Sequence, residues 1–147
     1  MDKTSIFTTL PEIPGRVIAD NDKAFAFLTN IPITPGHTLI APKRVVATVN
    51  ELTSEEMAAM HALLLAVKVA LTDYFGAEGF NYAWNEGAQF GQSVPHFHLH
   101  VVPRSTGDDG ITDYEPRKYL YRPGDRDASP EEQLAALAQL LSAKIKL

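Results

Sequence analysis

The sequence predicts an α+β domain built on a mainly antiparallel sheet of about five strands, with one long helix after the third strand and another at the C-terminus. Three observations carry this. Short β-type runs broken by turn residues fill the region before Ala47, a stretch with an apolar helical face opens on a capping box at Thr53, and two further strand-like runs separate it from a second helix. The order strands, helix, strands, helix favours antiparallel pairing over repeated βαβ crossovers.

An opening segment with Pro11, Pro14 and Gly15 leads into Arg16-Val17-Ile18-Ala19, and the polar pair Asn21-Asp22 precedes Ala24-Phe25-Ala26-Phe27-Leu28. Two β-type runs around such a pair form a hairpin. Pro32-Ile33-Thr34-Pro35-Gly36 follows, with proline and glycine in the order of a type II turn, and a strand His37–Ala41 leaves it. In Thr53-Ser54-Glu55-Glu56 the threonine and Glu56 can satisfy each other's free backbone N–H groups. Met57, Met60, Leu64, Val67, Leu71 and Tyr74 then recur at helical spacing, and Gly76 supplies a left-handed stop. Strands are expected at Phe80–Trp84 and His96–Val102. Ser129-Pro130-Glu131-Glu132 opens the last helix, with proline at its first position and a stripe of Leu134, Leu137, Leu141 and Ile145.

At 147 residues, 45% hydrophobic and 21% charged, the chain has the composition of an ordinary globular protein and the length of one domain, 1–147. It has no cysteine, which excludes a thiol nucleophile and a thiolate zinc site. The N-terminus lacks the apolar core of a secretory signal, and no continuous apolar run nears the roughly 18 residues of a membrane span. Cytoplasmic residence without a membrane partner is therefore expected. The net charge of −5 argues against a polynucleotide partner, but leaves room for a small anionic ligand held by local donors.

The chemistry concentrates in residues 85–104. On a strand His96, His98 and His100 would share one face while Phe97, Leu99 and Val101 anchor the other. Five histidines placed at random would give this spacing anywhere in roughly 0.6% of cases, so chance explains it poorly. Two chemistries compete. Alternating imidazoles could supply two ligands to a metal ion, the rest coming from His37, His61, a carboxylate or water, and such an ion could drive hydrolysis. Alternatively, a neutral imidazole could attack phosphorus and form a covalent intermediate, provided its other nitrogen is held by an acceptor. Asn85, Gln92 and Ser93 offer neutral donors nearby, and Gly87 and Gly91 allow close backbone approach to an anion.

The run Asn85-x-Gly87-x-x-x-Gly91-Gln92-x-Val94-x-His96-x-His98-x-His100-Val101-Val102-Pro103-Arg104 resembles the histidine-triad (HIT) family of nucleotide hydrolases and transferases, as does Pro35-Gly36-His37-Thr38-Leu39-Ile40-Ala41-Pro42-Lys43 upstream. The resemblance implies a domain core of about 16–104 with a C-terminal extension, 105–147, and a homodimer joining two sheets. It implies His98 as nucleophile toward an α-phosphate, with the His96 carbonyl holding its far nitrogen and His100 and His37 near the phosphate. Asn85, Gln92 and Ser93 match positions that contact phosphate or leaving-group oxygens. No protein-bound metal or cofactor is implied; magnesium would enter with the substrate's phosphates. Where relatives usually place Asp or Asn to hold ribose hydroxyls, this chain has Thr29 with Asn30 beside it, and Phe90 stands where a small residue is common. Histidine rather than glutamine at position 100 favours hydrolysis over transfer to a sugar phosphate. The long segment after Pro103 resembles the dinucleoside-polyphosphate hydrolase branch more than the short-tailed phosphoramidase branch, and its Arg117, Lys118 and Arg122 are candidates for contacts to extra phosphates. A nucleotide-binding regulatory protein with incidental hydrolysis is the third reading.

Overall fold

The structure is a computed structural model and describes residues 3–110 and 127–147. Two four-residue helices, α1 (Ile6–Thr9) and α2 (Ile13–Arg16), precede the hairpin β1 (Val17–Asp20) and β2 (Ala24–Leu28). Asn21 closes that hairpin by accepting the Ala24 N–H at 2.9 Å on its side chain. Then come β3 (Thr38–Pro42), the long helix α3 (Ser54–Phe75), β4 (Gly79–Ala83), β5 (Leu99–Arg104) and α4 (Glu131–Lys144). The five strands form one antiparallel sheet in the order β1-β2-β3-β5-β4.

Helix α3 starts as its sequence dictates: Thr53 caps the Glu56 N–H at 3.1 Å and Glu56 returns to the Thr53 N–H at 2.9 Å. It ends at Gly76, whose φ of 66° is left-handed. Its buried face is rotated from the expected one. Met60, Leu63, Val67, Ala70 and Leu71 are buried, whereas Met57 and Tyr74 are exposed. Apolar residues surround more of this helix than one stripe needs, so periodicity alone picks the wrong edge. For the same reason Ser54–Phe75 is long and apolar enough, by length and composition, to cross a membrane, with a mean hydropathy of 1.4. A search for uninterrupted apolar runs misses it because Glu55, Glu56, His61, Lys68 and Asp73 break the stretch. In α4 the observed N-cap is Pro130 itself rather than a first helical residue, and its core contacts are Leu134, Ala138 and Leu141.

The sheet separates two apolar layers. On one face Ala24, Ala26, Leu28, Ile40 and Val101 pack under α3 and α4. On the other, Phe25, Phe27, Leu39 and Ala41 meet Phe7 and Ile13 from the two N-terminal helices. Strand alternation produces this division, and the second face carries the histidines.

The expected strand His96–Val102 is shorter at its start. The ladder begins at Leu99, because the Phe97 N–H bonds to Val46 O at 2.6 Å in a loop instead of to a strand partner. Only His100 of the three histidines lies within β5. Alternation nevertheless persists through the irregular segment: Phe97 is 1% exposed in the helix-side core, packed at a tilt against Trp84 with ring centroids 5.3 Å apart, so its neighbours turn to the opposite face.

Candidate active site

His98 lies with one ring nitrogen committed. Its Nδ1 is 2.7 Å from the carbonyl oxygen of His96, an acceptor only, so Nδ1 carries the proton and Nε2 keeps its lone pair. Burial pushes the His98 pKa below its ordinary value; the carbonyl bond opposes this and the neighbouring His96 adds to it. The ring is therefore neutral near pH 7, as a nucleophile must be. Phe7 packs edge-on against it at 5.1 Å.

His96 is fixed from both sides. Its Nε2 donates to Pro42 O at 2.7 Å, and Ser5 Oγ lies 2.8 Å from Nδ1. Since the first contact requires a proton on Nε2, Nδ1 of the neutral ring accepts from the Ser5 hydroxyl. Burial lowers the His96 pKa, with the Pro42 bond opposing, which keeps this arrangement uncharged. The ring has no exposed surface. It holds the segment whose carbonyl orients His98.

A second chain of bonds sets His100. The Ile33 N–H donates to His37 Nδ1 at 3.0 Å, which places the proton of a neutral His37 on Nε2. That nitrogen is 2.9 Å from His100 Nδ1, so the proton of a neutral His100 falls on Nε2. His37 is 1% exposed and stands behind His100 rather than at the cavity wall. The type II turn makes this possible: Gly36 has a φ of 90°, His37 N–H closes the turn on Thr34 O at 3.1 Å, and Thr34 Oγ1 anchors it to Pro103 O at 2.8 Å. A Cβ on Gly36 would lie 2.6 Å from Phe75, so the turn is seated directly on α3.

The other expected residues divide. Ser93, Thr29 and Asn30 line the same cavity as His98 and His100. Thr29 is buried and its Oγ1 accepts the Ile31 N–H at 3.3 Å, while Asn30 O receives the Ser129 N–H at 2.8 Å, tying the approach to α4 to the site. Gln92 faces elsewhere: its amide bridges Ala47 O at 2.7 Å and the Gly87 N–H at 2.9 Å, bracing two loops. Asn85 reaches Gly91 O at 3.4 Å and stabilises the same loop. Phe90 is 70% exposed. Arg117, Lys118 and Arg122 lie outside the described residues.

The cavity, about 190 Å³, has an apolar lining from Ile6, Phe7, Leu10, Phe27 and Leu39 and polar groups from Ser93, His98, His100, Arg16, Thr29 and Asn30. Sequence reasoning missed the whole contribution of residues 5–16. The spacing Ser5-x-x-Thr8 was a usable signal, since it forms a reciprocal cap on α1. Among the described residues no three His, Asp or Glu side chains converge as a metal site, because His96 spends its two ring nitrogens on Pro42 and Ser5, and His37 its two on Ile33 and His100.

Comparison with known proteins places the chain. The model of the HIT domain matches residues 10–107. The chain belongs to the HIT family. It is 30% identical over 116 residues to the bis(5'-adenosyl)-triphosphatase of Dictyostelium discoideum, covering 79% of this chain and 74% of that one. It is 32% identical over 108 residues to the asymmetrical bis(5'-nucleosyl)-tetraphosphatase of Schizosaccharomyces pombe, covering 74% of this chain and 59% of that one. Among solved structures, a HIT-like protein involved in cell-cycle regulation from Bartonella henselae superposes with a TM-score of 0.77 and 26% identity, over 98% of both chains. This HIT protein thus has dinucleoside-polyphosphate hydrolases among its relatives.

Proposed function

We propose that this chain is a nucleotide hydrolase that cleaves at the α-phosphate of a dinucleoside polyphosphate or a nucleoside phosphoramidate through a covalent nucleotidyl-His98. The observation that carries the reading is the 2.7 Å bond from His98 Nδ1 to the His96 carbonyl, which leaves a neutral, oriented Nε2 in a residue lining the cavity. In the first step Nε2 bonds to the α-phosphorus, the bond to the leaving oxygen or nitrogen breaks, and that atom, hydrogen-bonded by the His100 Nε2–H, takes its proton from solvent. In the second, water attacks the phosphorus, the P–N bond to His98 breaks and returns its electron pair to Nε2, and the water's proton passes to solvent. The Ile33–His37–His100 chain supports this role by holding the His100 proton on the nitrogen away from His37. The apolar wall would take the base.

The experiment is turnover of a nucleoside phosphoramidate after exhaustive chelation. Full activity is expected, since this substrate has no polyphosphate chain for magnesium to shield. Loss restored by zinc or manganese would favour a metal-assisted hydrolase, and binding without turnover would favour a regulatory protein.

The active form is proposed to be a homodimer. Strand β4 is a sheet edge with Tyr82 on it and Trp84 just past its end, each 43% exposed, and beside it Met57, His61 and Leu64 of α3 border an apolar hollow. An apolar edge strand of this kind pairs or aggregates unless covered.

A further inference from the structure

Arg16 is the last residue of α2 and only 4% exposed, yet its Nε has no hydrogen-bond partner among the described residues. Glu131, at the start of α4, places a carboxylate oxygen 3.3 Å from that Nε, an ion pair without a hydrogen bond. The positive charge is therefore compensated while the hydrogen-bonding capacity is not. A buried guanidinium with its Nε–H unmet is costly, and such a group is explained where a ligand completes it.

Arg16 lines the same cavity as His98 and His100. The register shows the separation: His100 stands opposite Leu39, Leu39 opposite Phe27, and Phe27 opposite Val17, the residue after Arg16. Three inter-strand spacings, roughly 14 Å between backbones, leave room for a nucleoside between side chains reaching in from both ends.

With a nucleoside phosphate held at His98, as proposed above, the base lies along the apolar wall and its edge meets Arg16. We propose that Arg16 reads the acceptor edge of a 6-oxopurine, so that guanosine nucleotides are preferred to adenosine nucleotides. The guanidinium fork matches two adjacent acceptors, O6 and N7 of guanine, whereas adenine puts a 6-amino donor against it. An anionic group on the sugar is the weaker match, because Glu131 already neutralises the arginine and would repel a second negative charge. The apolar lining of Phe7, Phe27 and Leu10 offers the base faces no hydrogen bond, and with Thr29 and Asn30 expected at the sugar and Ser93 beside the histidines the base edge is left to Arg16.

The test compares kcat/KM of the wild-type protein for the 5'-phosphoramidates of guanosine, inosine, 7-deazaguanosine and adenosine. Guanosine and inosine, which share O6 and N7, should lead adenosine by about tenfold or more, with 7-deazaguanosine between, in line with one bidentate base contact. Arg16→Gln should collapse the guanosine-to-adenosine ratio toward one, whereas a purely structural role for Arg16 would lower both rates and leave the ratio unchanged. Should that variant fail to fold, the wild-type series still decides. Equal kcat/KM for all four, or a preference that survives Arg16→Gln, overturns the assignment while leaving the nucleotide hydrolase intact. Turnover of none, with no adduct on His98, removes both.

Discussion

Replacing Ser5 by alanine removes two bonds with one atom. Ser5 Oγ accepts the Phe7 N–H at 3.0 Å as the cap of α1, and it donates to Nδ1 of the fully buried His96 at 2.8 Å. Loss of a serine cap costs about 1 kcal/mol. An acceptor left unsatisfied in the interior costs about 1–3 kcal/mol more. Ser5→Ala should therefore destabilise the protein by about 2–4 kcal/mol, a large part of the 5–15 kcal/mol typical of a domain. Urea denaturation measures it as a lower midpoint at unchanged slope. The same variant should raise KM more than it lowers kcat, because Phe7 and Ile6 on α1 form the cavity wall, while the Pro42 bond still holds His96 and with it the carbonyl that orients His98. A loss below about 1 kcal/mol would refute the reasoning, since it would mean that the cap alone was felt and that His96 does not depend on Ser5.

Gly36→Ala should destabilise by about 2–4 kcal/mol, combining a forbidden φ with overpacking against Phe75 and Leu71, whose atoms would lie 2.6 and 2.9 Å from the new Cβ. Gly76→Ala, with positive φ but nothing within 4 Å, should cost only about 1–2 kcal/mol, and equal losses by denaturation would contradict this. Thr29→Asp should raise ribonucleotide affinity by about 1 kcal/mol and sharpen discrimination against 2'-deoxy analogues, because aspartate can accept from both hydroxyls; an unchanged ribo-to-deoxy ratio in titration would move the sugar elsewhere. The acid limb of kcat/KM should fall below the ordinary histidine value of about 6.5, since burial lowers the His98 pKa and only the neutral ring attacks. In stability the sign is the reverse of a gain: His96 and His98 stay neutral in the fold while the unfolded chain takes up protons below about pH 6.5. Stability should thus fall as pH drops below that point, by about 1.4 kcal/mol per unit for each ring, until the folded rings also protonate.

Where local chemistry decides the conformation, sequence and structure agree. The Thr53–Glu56 cap, the Gly76 stop, the Pro35-Gly36 turn and the Asn21 hairpin each rest on residues whose bonding is closed within a few positions. The triad's shared face came from alternation and survives, although the ladder starts only at Leu99. What escaped depends on tertiary partners. Helices α1 and α2 are four residues each, too short to hold without packing, so no periodicity marks them. The buried face of α3 differs from the expected one because Leu63 and Ala70 are as apolar as Met57 and the sheet decides between them. Gln92 has an amide equally suited to a phosphate or a carbonyl, and only the position of Ala47 O shows that it takes the carbonyl. Arg16 looked like the first residue of a strand, and its burial follows from packing against α4.

The central claim is that His98 becomes nucleotidylated. Rapid acid-free quenching of the protein with a nucleoside phosphoramidate, followed by mass spectrometry of peptides, tests it directly. The account predicts a nucleoside monophosphate adduct on the peptide containing His98, formed and consumed as fast as turnover requires, and absent from His98→Ala together with nearly all activity. Undiminished turnover with no adduct at any time, or an adduct on His96 or His100 in place of His98, would contradict it.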